Sequence, residues 1–421
     1  MVTIPGLDTM RSLAKRVLTL GNRRGMKLGD ALYAAANLTG IAVTPESALT
    51  LSAYFAAINV ISTDVASLPI RVYQRRADGG RDEVTSHPAR ELLSVSPDGQ
   101  TTAMRQRQAW VGHTLGRGNG FMEIERDGDG NPIGLHLLDP GTTQVKRTEN
   151  TNRVYYELEN GKRLRGENVL HLAGLGFNGL EGYAPVRLFR QCLSLGLAAE
   201  GFGAAFFGNG STPKGVLKTA KVLGREGRRN LRESFEEVHR GVANAHGLVV
   251  LENGVEWVKT SVDPEDAQFL ATRMFQVVEI ARIFRMPPHK IGDFSQAHLA
   301  NLEASNLDYM TTTLMPWCEA IEQVCNLRLL SKDERAAGLY VEHNMNALLR
   351  GDMRARAEFY SRLRDLGAIS PNEVRRFENM NPIEDGDLYL VPLNLVPLAL
   401  AARPPADVTR STSNQTERAA A

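Results

Sequence analysis

The sequence predicts an α+β fold, and three observations indicate it. Alternating apolar residues flank Gly/Asp/Asn turns in Asn119–Pro140 and Arg153–Gly174, as expected for two antiparallel hairpins. Apolar residues recur at helical spacing in long runs after Pro185 and after Pro264. The strands follow one another as hairpins rather than alternating with helices, which disfavours a parallel sheet built from strand–helix–strand units.

Length and composition set the first limits on function. The chain has 421 residues, of which 43% are hydrophobic and 23% charged, so it has an ordinary soluble composition and room for two or three modules. The net charge of +1 gives no global attraction to nucleic acid or to a membrane. Its most apolar helical stretch, which begins at Val186, is interrupted by Arg187, Arg190 and Glu200, so we expect no membrane span. The basic start has no continuous apolar core and does not resemble a signal peptide.

The first part of the chain reads as helices and antiparallel strands. Residues 1–46 are expected to form a loosely structured arm. Ser47 to about Ser67 carries apolar residues at helical spacing, and "PIRVYQRR" then alternates as a strand up to the turn "ADGG". A second helix is expected from Met104 to Leu115, before the two hairpins, of which the second turns at Asn160-Gly161.

After Pro185 the pattern changes to long helices. One runs from Val186 to about Phe207, and another begins after the capping signal Asp263-Pro264. Between them lie a strand, a charged helix over Arg225–Arg240 and a hairpin. The second long helix is broken at Pro287-Pro288, and the pattern resumes from about Leu299 to Leu329, where Pro316 should kink the helix.

The remaining C-terminal elements are shorter. "LYVEHNMNALL" reads as a strand, and Asp352–Asn379 as a charged helical pair that turns at "GAISPNE". Residues 385–421 are expected to be a disordered tail, since the stretch after Pro397 is rich in proline and alanine.

A nucleotide-binding enzyme is one alternative. "GLGFNG", Gly174–Gly179, matches the glycine pattern of dinucleotide-binding loops and follows a plausible strand. However, "LEGYAP" separates the glycines from the next helix, and Glu200 lies inside that helix rather than after a second strand. A cofactor is therefore not expected, and we identify no catalytic residues.

Metal and redox sites are also disfavoured. "DGDGNPIGLHLLD" begins like a calcium loop, but Pro132 and Leu138 stand where the glycine and the bidentate acid are required, which favours a hairpin turn. No metal site is expected. The cysteines Cys192, Cys318 and Cys325 lie in apolar helical patterns and are expected to be buried thiols in a reducing compartment.

A second alternative is a peripheral DNA-binding module. The predicted helix "REGRRNLRESFEEVHR" is basic at its start, through Arg225, Arg228, Arg229 and Arg232. It also carries Glu226, Glu233, Glu236 and Glu237. Mixed charge of this kind is more typical of a solvated or partner-facing surface than of sequence-specific DNA recognition.

The order of these features resembles one family closely. The residues that carry the resemblance are "SAYFAAINVISTDVASLPIRVYQR", "GNGFMEIERDGDGNPIGLHLLDP", "ENVLHLAGLGFNGLEGYAPVRL", "AAEGFGAAFFGNGSTPKGVL", "DPEDAQFLATRMFQVVEIARIFRMPPHKIGDF" and "NLEASNLDYMTTTLMPWCEAIE". They extend from about residue 47 to 384, and together they are similar to the portal proteins of tailed bacteriophages related to phage HK97. The "GLGFNGLEGYAP" stretch belongs to that family pattern, which further disfavours the dinucleotide alternative.

The resemblance implies a portal fold that assembles into a ring. Each subunit would have a wing, two stem helices, a small α/β clip, a tunnel loop and a short helical crown. In this sequence the implied segments are the wing at 47–185 with 328–350, the stem helices at 186–209 and 264–285, the clip at 210–263, the tunnel loop at 286–300, a kinked wing helix at 301–327 and the crown at 351–384.

The resemblance also implies which residues meet the partners. The tunnel loop would lie at the narrowest part of a DNA channel, where Pro287 and Pro288 stiffen the turn between an inward and an outward helix. The residues expected to face or approach DNA are Pro287, Pro288, His289, Lys290, Asp293, Ser295, Gln296 and His298. The clip residues expected to face the terminase or the connector are Arg225, Arg228, Arg229, Arg232, Glu236 and Glu237.

The implied function is that of a non-enzymatic conduit. A homo-oligomer, expected to be dodecameric, would occupy one vertex of the viral capsid, after assembly in the host cytoplasm. The terminase large subunit would drive double-stranded DNA through it, DNA would leave through it at infection, and the major capsid protein and head–tail connector would bind it. The portal of a domesticated prophage or of a gene-transfer particle is an open alternative.

Overall fold

The computed structural model describes residues 39–208, 215–219, 224–239, 255–259, 266–295, 302–345, 353–378 and 380–390. The chain divides into two units, 1–344 and 345–421, and each is described by itself. The predicted arm up to residue 38 and the tail from residue 391 lie outside the described residues.

The described part of the chain mixes helices with short antiparallel strands. The helices are α1 (Pro45–Ala48), α2 (Ser52–Ser67), α3 (Pro88–Ser94), α4 (Ala103–Arg117), α5 (Pro185–Leu188), α6 (Arg190–Gly208), α7 (Arg225–His239), α8 (Asp266–Ile283), α9 (Leu302–Asp308), α10 (Met315–Arg328), α11 (Lys332–Ala336), α12 (Met353–Asp365) and α13 (Pro371–Phe377). The strands are β1 (Ile70–Arg75), β2 (Arg81–Glu83), β3 (Asn119–Arg126), β4 (Pro132–Leu138), β5 (Gln144–Arg147), β6 (Val154–Glu157), β7 (Arg163–Arg165), β8 (Val169–Ala173), β9 (Gly215–Thr219), β10 (Val255–Lys259) and β11 (Leu339–His343).

The described strands form four small antiparallel sheets. Their orders are β11-β1-β2, β4-β3-β8, β5-β6-β7 and β10-β9. The two predicted hairpins are confirmed as β3–β4 and β6–β7. The first sheet joins residues far apart in sequence, since Val72 pairs with Val341.

The core of the first unit lies where α2 and α4 pack together. Tyr54, Ile61 and Val65 of α2 and Trp110 and Val111 of α4 are buried at helical spacing. A smaller cluster of Phe121, Tyr156, Leu164 and Val169 packs the sheet β4-β3-β8 against β5-β6-β7.

Two predicted helices are interrupted in the structure. The helix expected from Ser47 is divided into α1 and α2, since Leu51 adopts an extended conformation and is buried against Gly196 of α6. The helix expected from Val186 is divided at Phe189, between α5 and α6. No helix in the described ranges is both long and apolar enough to cross a membrane.

The second unit is a helical pair, as predicted. Ser370 and Glu373 form a capping box that starts α13, and the Tyr360 hydroxyl donates to Glu378 at 2.9 Å. The Asn372 side chain accepts from the N–H of Ile383 at 2.8 Å and donates to its carbonyl at 3.0 Å. These bonds fix the segment after α13 on the start of that helix.

Candidate functional site

The break between α8 and α9 begins with a residue in a left-handed conformation. Arg285 has φ +56°, and Met286 N–H donates to Ala281 at 3.0 Å while Arg285 N–H donates to Arg282 at 3.2 Å. These two bonds are those of a helix C-cap that ordinarily places glycine at the left-handed position. The helix end is therefore sharply defined before the two prolines.

The first half of the predicted tunnel loop is a built turn. Pro288–Ile291 forms a short 3₁₀ helix, which Gly292 ends with φ +90°. Asp293 N–H donates to the carbonyl of Pro288 at 3.1 Å. Proline fixes φ at two positions and the 3₁₀ hydrogen bonds constrain the residues that follow, so the backbone of this part of the loop is restricted. We refer to Met286–Ile291 as the loop base.

The loop base is attached to α2 through side chains. The Lys290 ammonium lies 4.9 Å from the centre of the Tyr309 ring, and the Tyr309 hydroxyl donates to Asp64 at 2.9 Å. Tyr309 is 2% exposed. Burial raises the pKa of the Asp64 carboxyl, while the hydrogen bond from Tyr309 and the charge of Lys290 act in the opposite direction. Sequence reasoning missed Asp64 and Tyr309, because neither lies in the loop.

The other predicted loop residues fall into three groups. Pro287, Pro288, His289 and Asp293 are half-buried, and a His289 ring nitrogen lies 3.3 Å from the side-chain oxygen of Asn306. Ser295 is exposed beside Phe294, which is 62% exposed and was not predicted. Gln296 and His298 lie outside the described residues, so their expected approach to DNA stays a prediction.

The returning helix contains an irregular turn where a kink was predicted. Tyr309–Leu314 is a π-helix between α9 and α10, and Pro316 stands in the first turn of α10. Because proline has no N–H and its ring crowds the carbonyl four residues earlier, the preceding turn widens. That widened turn carries Thr313, which bonds to Arg285 at the end of α8, and Tyr309, which contacts Lys290 of the loop base.

The helices α6 and α8 present apolar side chains to solvent. They contact each other through Arg273 and Glu200, 3.4 Å apart, and through Cys192 and Gln276. Exposed large apolar residues on the two helices are Leu195, Phe202, Leu270, Met274 and Phe275. A soluble chain in isolation rarely exposes so many on neighbouring helices, which is typical of a surface that another molecule covers.

The predicted clip residues lie on α7. Arg225, Arg228 and Arg229 are exposed, and Arg229 pairs with Glu233 at 3.8 Å along the helix. Arg232, Glu236 and Glu237 lie on the same helix, but their side chains are outside the described set. Strand β9 pairs with β10, so the predicted strand before α7 belongs to a small antiparallel sheet.

The glycine-rich loop Gly174–Gly179 has a structural role, which differs from the dinucleotide binding considered as an alternative. A Cβ at Gly176 would lie 1.8 Å from the carbonyl oxygen of Glu181, so this glycine lets the loop close on itself. Asn119 accepts from Gly182 N–H and donates to its carbonyl, both at 2.8 Å. The loop is thereby fixed at the start of β3, and Leu175 and Phe177 are left exposed.

The remaining candidates are structural. Asp127 accepts from the N–H groups of Asp129 at 3.0 Å and Asn131 at 2.8 Å, which confirms the predicted hairpin turn. Across the described ranges no group of three or more His, Cys, Asp or Glu side chains could hold a metal ion. Cys318 and Cys325 are buried as predicted, and burial raises the pKa of each thiol to about 12. Cys192 was also expected to be buried but is only half-buried.

Comparison with known proteins places these features in a family. Residues 52–379 match the family described as phage portal protein. The chain is 34% identical over 373 residues to a probable portal protein of Streptomyces phage phiC31, covering 85% of this chain and 81% of that protein. It is 32% identical over 364 residues to the portal protein of Enterobacteria phage HK97, covering 85% of each.

Solved structures share the fold. An HK97-family phage portal protein from Corynebacterium diphtheriae is similar with a TM-score of 0.55 and 19% identity, covering 74% of this chain and 99% of that one. A chain from the virion of a native gene transfer agent particle gives a TM-score of 0.54 and 21% identity, covering 88% of this chain and 100% of that one. A chain from the neck of a native gene transfer agent particle, computed with C12 symmetry, gives 0.52 and 22%, covering 87% and 99%.

The fold has two long helices, α6 and α8, and an elbow, which is the break between α8 and α9 that begins at Arg285. It is therefore the fold of a portal protein. The chain belongs to the phage portal protein family, in its HK97-like form.

Proposed function

We propose that copies of this chain form the ring-shaped channel at one capsid vertex, through which double-stranded DNA is packaged and later ejected. The observation that supports it most is the elbow between α8 and α9, where the loop base is followed by the exposed residues Phe294 and Ser295. A related chain lies in a neck computed with C12 symmetry, which favours a dodecamer here. The ring would form part of the virion after assembly in the host cytoplasm.

The segment assignment is part of the proposal. The wing is 47–185 with 328–350, and the stem helices are 186–209 and 264–285. The clip is 210–263, the tunnel loop 286–300, the kinked wing helix 301–327 and the crown 351–384. The confirmed family membership and the order of α6, α7 and α8 support these boundaries.

The partners follow from the same assignment. The terminase large subunit and the head–tail connector would bind the clip through α7, whose mixed charge suits a protein surface. The major capsid protein would surround the wing. A conduit needs no catalytic group of its own, so the energy for packaging would come from ATP hydrolysed by the terminase.

Weak attraction to DNA suits a conduit. Each phosphate that a Lys or Arg neutralises adds affinity that later movement must break. The net charge is +1, and Lys290 is the one lysine or arginine of the described loop residues 286–295. Guidance of passing DNA is thus favoured over a grip.

Ring assembly explains the apolar surface of α6 and α8. A neighbouring subunit that packs against this surface would cover Leu270, which is 59% exposed, and Met274. Closed rings arise when one patch of a subunit meets a different patch of the next, so one substitution affects every interface in the ring.

Electron microscopy of the purified protein in negative stain, over a concentration series, tests the proposal. Rings with a central hole wide enough for a duplex are expected, and Leu270→Asp should abolish them. Ile133→Asp is the matched control, because Ile133 is similarly exposed but lies on β4. A monomer or dimer at every concentration would contradict the proposal and favour the enzyme or the DNA-binding module.

The portal of a gene-transfer particle is the second candidate, and the similarity to chains of such particles favours considering it. Both candidates require the same ring. Sequencing the DNA inside particles that contain this protein separates them, because a phage packages its own genome and a gene-transfer particle packages host fragments.

A further inference from the structure

Lys290 is occupied within its own subunit. Its ammonium lies over the face of a buried tyrosine whose hydroxyl is bound by Asp64. We infer that Asp64 and Tyr309 are positioning residues that hold the loop base on α2, so that the part of the loop available to DNA begins at Gly292 rather than at Lys290. This inference rests on the proposed function and identifies which loop residues serve it.

The contacts that Lys290 makes within its own subunit make it costly for this residue to bind a DNA phosphate instead. A cation over an aromatic face gains about 0.5–1 kcal/mol at an exposed site and up to about 2 kcal/mol when desolvated. Tyr309 is almost fully buried, and the half-buried Asp64 carboxylate adds an opposite charge behind the ring. To neutralise a DNA phosphate, Lys290 would have to leave both groups, which lowers the net gain from that contact.

The backbone supports the same division of the loop. The N–H groups of Lys290, Gly292 and Asp293 donate to Pro287, His289 and Pro288 at 3.0, 3.2 and 3.1 Å. Every one of these bonds closes within the loop base or directly after it. Gly292 has φ +90°, a conformation that glycine adopts at no steric cost and from which it can also depart. Phe294 and Ser295, which follow, are exposed.

The consequence for a ring is large because each subunit repeats it. If Lys290 stays on Tyr309 in every subunit of the ring, none of these lysines is available to bind DNA at the channel wall. The slope of log affinity against log salt counts the phosphates that a protein neutralises, at about 0.9 per phosphate for duplex DNA. That slope therefore measures directly whether Lys290 reaches DNA.

The first test measures association of assembled rings with a random-sequence linear DNA duplex over a range of KCl concentrations. Lys290→Gln should leave the slope unchanged. Tyr309→Leu should release Lys290 and steepen the slope, and Tyr309→Leu/Lys290→Gln should return it to the wild-type value. Tyr340→Leu is the control, because Tyr340 also lies under a cation, Arg75 at 5.1 Å, but on β11. A flatter slope for Lys290→Gln alone would overturn the inference, as would an unchanged slope for Tyr309→Leu.

The second test does not depend on DNA or on ring formation. Hydrogen exchange at the amides of Lys290 and Gly292 should accelerate in Asp64→Asn and in Tyr309→Leu, while the amides of β3 keep their wild-type rates. Asp64→Asn is the milder variant and serves if loss of the buried ring impairs folding. Unchanged exchange in Asp64→Asn would show that the loop base is held without this residue and would overturn its positioning role. Absence of rings would instead contradict the proposed function and leave this exchange result to decide the inference.

Discussion

Thr313 donates its hydroxyl hydrogen to the main-chain carbonyl of Arg285, 28 residues earlier in the chain. This bond joins the π-helix of the returning helix to the left-handed residue that ends α8. Thr313 is buried, whereas Arg285 is exposed. The direction in which the chain leaves α8 is thus fixed by a residue beyond the loop.

Replacing Thr313 with valine should destabilise the fold. Thr313→Val keeps the shape but removes the hydrogen bond to the Arg285 carbonyl, which contributes about 0.5–1.5 kcal/mol. The free energy of unfolding in urea measures the loss. Thr311→Val is the control, because Thr311 is exposed and bonds within its own helix to Leu307. Equal losses in the two variants would contradict this role for Thr313.

Replacing Arg285 with glycine should stabilise the fold. A left-handed conformation costs an L-residue about 1–2 kcal/mol. Glycine avoids that strain but loses about 0.5–1 kcal/mol more in chain entropy, so a net gain of up to about 1.5 kcal/mol is expected for Arg285→Gly. Arg285→Ala removes the same side chain without relieving the backbone and should give no such gain. Thermal unfolding of the two variants side by side makes the comparison.

The elbow shows what sequence reasoning could and could not reach. Pro287-Pro288 located the break, and the turn residues located the β3–β4 and β6–β7 hairpins, because these signals act over a few neighbouring residues. The contact between Lys290 and Tyr309 follows from the width of the π-helix and from packing against α2. The local sequence around Lys290 indicates neither feature, so the sequence alone predicts that Lys290 faces or approaches DNA.

A buried arginine holds the other end of α2. Arg107 of α4 donates to the carbonyls of Ala66 and Leu93, both at 2.7 Å, and burial lowers the pKa of its guanidinium to about 10. Arg107→Met should cost about 3 kcal/mol or more in unfolding free energy, because buried carbonyls lose a charged donor. Arg107→Lys should cost less, since an ammonium can keep one of the bonds. A loss below about 1 kcal/mol for Arg107→Met would contradict this role.

His171 should make the stability depend on pH. Asn119 accepts from Gly182, so the His171 Nε2–H, 3.0 Å away, donates to that same oxygen, and Nδ1 accepts from Tyr156 at 3.1 Å. Burial lowers the pKa of His171 to about 4, below the usual value of about 6.5. The unfolded chain therefore takes up the proton first, and stability falls from about pH 6.5 down to about pH 4, by about 3 kcal/mol.

Urea unfolding at a series of pH values between 7 and 4 measures this effect. His171→Gln should lose the part of the pH dependence that comes from the imidazole, although its stability at pH 7 is lower. A variant with the same fall in stability as the wild type would show that other groups cause it.

The limits of sequence reasoning were similar in the glycine loop. The spacing in "GLGFNG" satisfies a known pattern, although "LEGYAP" separates it from the next helix. What the glycines do instead depends on Glu181 and on Asn119, whose contacts arise only when the loop has closed on β3. The breaks at Leu51 and Phe189 were missed for a related reason, since helical spacing continues across both while packing against neighbouring helices decides.

The pairing of β1 with β11 has a consequence for how the protein is made. Val72 can pair with Val341 only after β11 has been synthesised. On the ribosome, β1, the middle strand of this sheet, therefore keeps an unpaired edge until nearly the whole first unit has been made. Unpaired edges invite association with other chains, which makes the nascent protein sensitive to crowding by its own copies. A subunit therefore completes this sheet only after β11 has been synthesised.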